Sequence, residues 1–143
     1  MKKAQNKFNE LVGIISHLRK KCAWKKALTL HDVPEYSKSE FDELMQAVEK
    51  EDWENLREEL GDVLFHILLY AEIAKEQGKF DIDDVIQESI EKMKRRNPHI
   101  YGTVKATTPE EIEKMWQEVK RKEKLEKAKE LEKIKKKAKK KIK

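Results

Sequence analysis

Apolar residues recur at helical spacing along most of this chain, and no segment shows the two-residue alternation of a strand. The broadest stripe lies between Asp52 and about Glu76, where Leu56, Leu60, Val63, Leu64, Ile67, Ala71 and Ala74 share one face. Asp52 stands at the N-cap position of that helix, and Gly78 stands where a left-handed stop is needed. A three-to-four-residue period cannot bury one face of a sheet, so the chain is restricted to an all-α fold. Composition agrees: 43% of residues are charged, and only four are Gly and three Pro.

The same logic places the other helices. Phe8, Leu11, Val12, Ile15 and Leu18 predict a first helix over about 4–20. Residues 21–37 break the pattern and contain Pro34, which reads as a loop. A second helix is predicted over about 38–50, with Phe41, Leu44, Met45 and Val48 toward the core. Asp81 caps a helix over about 82–96, with Ile82, Val85, Ile86, Ile90 and Met93 inward. Pro98 ends it near Asn97, and 98–107 reads as loop. Thr108, Pro109 and Glu111 form a start signal for the last helix, whose stripe is Ile112, Met115, Trp116 and Val119. Beyond Lys124 the apolar residues thin to Leu125, Leu131 and Ile134. The expected organisation is one domain over 1–124 and a basic extension, helical or disordered, over 125–143.

Charge is divided unevenly. Residues 120–143 carry 14 Lys or Arg against 4 Glu, so the first 119 residues are net −5 although the whole chain is +5. A basic tail can attract nucleic acid or anionic surfaces, but is more often a solvated, fraying helix. Cys22 is the only cysteine, so no intrachain disulfide forms. No apolar run approaches the ~20 residues of a membrane helix, and no signal-peptide core opens the chain. The expectation is a cytoplasmic protein without membrane association.

Two acidic pairs stand beside the apolar stripes. Glu40 and Glu43 lie on the second helix, Glu59 and Asp62 on the third, each with i, i+3 spacing. With Glu40 at 0°, Phe41, Leu44, Met45 and Val48 fall between about 40° and 140°, and Glu43 at about −60°. Glu59 and Asp62 repeat this arrangement. The short link near 51–52 suits an antiparallel helical hairpin, in which the two acidic edges face each other. Four carboxylates in a low-dielectric pocket repel and need a cation. All-oxygen ligation points to a hard metal, Mg²⁺ foremost with Mn²⁺ as a substitute, and hence to phosphoryl or nucleotidyl transfer to water. Ordinary surface acids are the competing reading of the same residues. His66 lies one turn after Asp62, but Val63 denies it the Glu-x-x-His pattern of a diiron bundle, so it reads as a hydrogen-bonded or pocket-lining histidine. Glu58 is either a supporting acid or a solvated one.

The segments "CAW" at 22–24, 52–86, "KMKRRNPHIYG" at 92–102 and "MWQEVKRKEK" at 115–124 resemble the MazG family of nucleoside triphosphate pyrophosphohydrolases. The resemblance implies an all-α fold of helical hairpins, of four-helix-bundle type, assembled as a homodimer or larger oligomer such as a tetramer. It implies Mg²⁺-dependent hydrolysis of nucleoside triphosphates to monophosphate and pyrophosphate, with a house-cleaning role against non-standard or surplus nucleotides. The family's acidic motif falls on Glu40, Glu43, Glu59 and Asp62, its phosphate-contacting basic residues on Lys92 and Arg96, and its last-helix pair on Trp116 and Lys120. Lys92 and Arg96 are i, i+4, suited to clamping an anion, and Trp116 and Lys120 share that spacing.

The chain also departs from the family. The first Glu of the acidic motif is Ser39, "CPWD" is "CAWK" with Ala23 and Lys25, and "RRHPHVFGD" is "RRNPHIYGT". Ser39 motivates an alternative: a degenerate member that binds nucleotides or a partner without turnover. Cys22 and Trp24 read as a packed loop anchor, since no His partners the thiol. A related phosphoribosyl-ATP pyrophosphohydrolase is disfavoured by the Cys-Trp and "RRNPHIYG" segments.

Overall fold

The computed structural model describes residues 1–141, so the last two residues of the predicted extension lie outside the described residues. Among the described residues there is no strand, as the sequence predicts, and there are seven α-helices where it predicts five. They divide into two compact units, Met1–Val85 and Ile86 onward.

The first unit contains α1 (Lys2–Lys21), α2 (Ala23–Ala27), α3 (Val33–Glu49), α4 (Trp53–Glu76) and the first turn of α5 (Ile82–Arg96). Helices α3 and α4 form an antiparallel hairpin, and α1 packs on α4 and α2. The hairpin turn is tight: Glu51 takes a left-handed φ of 51°, and the Asp52 N–H donates to the Ala47 carbonyl at 3.0 Å. Asp52 then caps α4, its side chain accepting from the Asn55 N–H at 3.1 Å. The core gathers Ile15, Leu28, Val33, Leu68, Leu69 and Ile73, with Phe8, Leu11, Val12 and Phe65 packed against it. Opposite the hairpin turn, Arg19 ties three segments together. Its guanidinium donates to both Glu76 carboxylate oxygens, at 2.9 and 2.6 Å, to the Leu28 carbonyl at 2.7 Å, and to the Lys25 carbonyl.

The expectations for 21–37, for the inward face of α3 and for α5 are corrected. Part of 21–37 is helical: α2 occupies Ala23–Ala27, and α3 starts at Val33 with Pro34 in its first turn. Proline is suited to that position, because first-turn N–H groups have no intrahelical acceptor. Val33 is fully buried and anchors the start. The inward face of α3 is Val33, Ser37, Glu40, Leu44 and Ala47, while Phe41, Met45 and Val48 are half exposed. Val85, Ile86, Ile90 and Met93 of α5 are also more exposed than expected.

The second unit continues α5 and adds α6 (Pro98–Tyr101) and α7 (Pro109–Lys141). Helix α6 replaces part of the predicted loop; its close turn leaves no room for a Cβ at Gly102, which would meet the Pro98 carbonyl oxygen at 2.9 Å. The predicted cap of α7 is present in both directions. Thr108 Oγ1 accepts from the Glu111 N–H, and the Glu111 carboxylate accepts from the Thr108 N–H, each at 3.2 Å. Past Lys124, α7 runs as a solvent-exposed helix.

Candidate functional site

The α3–α4 seam carries polar groups at its centre. One ligand oxygen each from Glu40, Glu43 and Glu59 lies within 4.8 Å of the others. Glu59 is 6% exposed, Glu40 is half-buried and Glu43 faces solvent. The Oε2 atom of Glu59 is buried and has no hydrogen-bond partner. Burial holds the Glu59 carboxyl above its usual range, and the charges of Glu43, Asp62, Glu40 and Glu58 push it the same way. Asp62 is exposed and outside the 4.8 Å trio, yet near enough to act on Glu59. An orphaned carboxylate oxygen among like charges is the environment a hard divalent cation satisfies, so this donor set fits such an ion.

Beside the trio is a pocket of about 110 Å³ whose lining includes Trp24, Lys25, Tyr36, Glu40 and His66. His66 Nδ1 lies 2.8 Å from Ser37 Oγ, which is also 3.1 Å from the Tyr70 hydroxyl and 3.0 Å from the Val33 carbonyl. Burial lowers the His66 pKa; Lys25 acts in the same sense, while Glu40 and Asp62 oppose it. The histidine is thus hydrogen-bonded and pocket-lining. Trp24 is mostly exposed: its ring meets Tyr36 edge-on at 6.2 Å, and the Lys25 ammonium sits 4.1 Å above it. The packed anchor expected of Trp24 is therefore a pocket rim. Cys22 joins α1 to α2, its N–H donating to the Leu18 carbonyl at 2.9 Å.

In the second unit, the Arg96 guanidinium lies 5.6 Å and the Lys120 ammonium 4.8 Å from the Trp116 ring centre. Glu123 fixes the cluster. Its carboxylate accepts from Arg96 Nη2 at 2.9 Å and Arg95 Nε at 2.7 Å, and these contacts pull its pKa down to about 2. Lys92 stands apart from these groups, 3.9 Å from Glu88. The sequence reading missed Ser37, Tyr36, Arg19 and Glu123. Ser37 and Glu123 had a signal in their spacing, one turn from Glu40 and from Lys120 respectively. Arg19 and Tyr36 had none, because their partners are distant in sequence.

Residues 29–101 match the family model of the MazG nucleotide pyrophosphohydrolase domain. This chain belongs to the MazG family. A crystal structure of a MazG-related protein from Thermotoga maritima has the same fold, with a TM-score of 0.69 and 34% identity over 79% of this chain and 98% of that one. The nucleoside triphosphate pyrophosphohydrolase of Escherichia coli (strain K12) is 34% identical over 126 residues, 86% of this chain and 48% of the relative. The nucleoside triphosphate pyrophosphohydrolase/pyrophosphatase MazG of Thermotoga maritima is 38% identical over 126 residues, 87% of this chain and 48% of its own. The chain thus spans about half the length of these curated MazG relatives. The match to the family model includes the α3–α4 hairpin and its carboxylates, and ends with the short helix α6 at Tyr101.

Proposed function

We propose that this MazG-family chain hydrolyses nucleoside triphosphates to the monophosphate and pyrophosphate, by attack of water at the α-phosphorus. Glu40, Glu43, Glu59 and Asp62 hold Mg²⁺, or Mn²⁺ in its place. The observation that carries this reading is the unpartnered, buried Glu59 Oε2 inside the carboxylate trio. When bound, the ion supplies charge neutralisation, polarisation of the phosphate and a more acidic water. The four carboxylates fix its position. The α3–α4 core beneath them keeps Glu59 and Glu40 from swinging into solvent. Lys92, Arg96 and Lys120 supply positive charge for a triphosphate, and Trp116 a ring on which a base can stack. Glu123 pre-orients Arg96 by holding its guanidinium.

The reading extends to removal of non-standard or surplus nucleotides in the cytoplasm. Among the described residues, no helix is long and apolar enough to cross a membrane. It extends also to a homo-oligomer, dimer or tetramer. Phe41, Met45, Val48, Leu60 and Ile67 are exposed apolar groups on α3 and α4, more than a lone hairpin would leave in water.

Ser39, where the family carries a Glu, favours a second reading as a nucleotide binder without turnover. A panel of common and deaminated nucleoside triphosphates with Mg²⁺, scored for pyrophosphate against orthophosphate, separates the two. Pyrophosphate in equal amount to monophosphate is the expected result. Binding of triphosphates with no pyrophosphate across the panel would leave only the second.

A further inference from the structure

Residues 133–140 hold six lysines and no acid. They lie in the exposed last part of α7, which stays helical to Lys141. Among these six, Lys136 has an ion-pair contact, with Glu132 at 4.0 Å. A helix advances about 1.5 Å and turns about 100° per residue, so six ammonium groups sit on some 12 Å of rod and spread over about 200° of its circumference. The centre of that arc presents three of them together, Lys133, Lys136 and Lys140, which fall within about 60°.

The chemistry of this rod selects its partner. A lipid surface needs a broad apolar face, and the segment has only a narrow strip: Leu131, Ile134 and Ala138 fall within about 60°, with Leu125 about 120° from Leu131 and no aromatic residue to anchor it. Single-stranded nucleic acid is held by aromatic stacking, and no aromatic residue follows Trp116. Duplex DNA carries a phosphate charge about every 1.7 Å of its axis. Its major groove admits an α-helix, whereas the groove of duplex RNA is too deep and narrow. We propose that the C-terminal part of α7 binds the phosphate backbone of duplex DNA without regard to sequence, tethering the nucleotide-handling domain to DNA. Nothing in this inference depends on turnover at the carboxylates.

Fluorescence anisotropy with a labelled 20-base-pair DNA duplex tests it on the full chain. Neutralising about three phosphates gives a salt exponent near −2.7, so affinity should fall about 40-fold between 50 and 200 mM salt. Changing Lys133, Lys135, Lys136, Lys137, Lys139 and Lys140 together to Gln, which keeps helix propensity, should abolish binding. Changing the same six to Arg should retain it. Absence of binding at 50 mM salt overturns the proposal, as does equal binding by the Gln variant or loss by the Arg variant. Tighter binding to a duplex RNA or to phosphatidylglycerol vesicles in the same buffer would also overturn it.

Discussion

Replacing Arg19 with Met should destabilise the first unit by about 3–4 kcal/mol. Arg19 is 8% exposed, and its guanidinium satisfies the Lys25 and Leu28 carbonyls as well as Glu76. Methionine fills similar volume but donates nothing, and each buried acceptor left bare costs about 1–3 kcal/mol. The Glu76 side chain is 41% exposed and returns to water, so its share is at most about 1 kcal/mol. For a protein of this size the melting midpoint should drop by about 10 °C. The acid limb gives a second readout. Arg19 holds the Glu76 carboxyl below its ordinary value of 4.5 by hydrogen bonding first and charge second. A depressed carboxylate contributes stability above its unfolded pKa and loses it as pH falls through the folded one. The gap between wild type and Arg19→Met should therefore be full near neutrality and narrow below about pH 4. Arg19→Lys keeps the charge but not the fork, and should fall between the two. A drop under about 1 °C, with parallel acid limbs, would refute Arg19 as the tie between α1, α2 and α4.

Ser37→Ala should cost about 1 kcal/mol in urea unfolding with an unchanged slope, because His66 and Tyr70 each lose a hydrogen-bond neighbour. An unchanged midpoint would remove Ser37 from the seam's polar network. Glu123 should titrate at about 2, held down by Arg96 and then Arg95, so its ties to both arginines persist on acidification until well below 4.5. The Arg96 Nε–H resonance should shift with that low midpoint, and the shift should vanish in Glu123→Gln; a midpoint near 4.5 would contradict the bidentate contact.

The sequence announced its helices where local chemistry is strong. Asp52 and the Thr108–Glu111 pair cap as their positions predict. It misled on α3 because a polar site occupies the packed side. Ser37 and Glu40 lie on the seam with Val33 and Leu44, so the rest of the strongest apolar stripe, Phe41, Met45 and Val48, belongs to the adjoining, half-exposed face. Periodicity identifies a face that avoids water; it does not say which neighbour covers it. Pro34 misled for a related reason, since proline signals both a break and a first helical turn. The pairing of the acids was legible from i, i+3 spacing and the short hairpin link. Their inequality was not, because the burial of Glu59 depends on how α3 lies across α4. Lys25 over Trp24 and Arg96 over Trp116 were equally beyond reach, being products of packing.

The central claim is that the hairpin carboxylates hold a divalent cation, and Mn²⁺ titration followed by electron paramagnetic resonance tests it without reliance on turnover. Wild type should bind Mn²⁺ and release it to excess Mg²⁺. Glu59→Gln should lose at least about tenfold in affinity, by comparison with loss of an outer-shell group, while its circular dichroism spectrum stays that of the wild type. Equal Mn²⁺ affinity in the folded variant would contradict the claim.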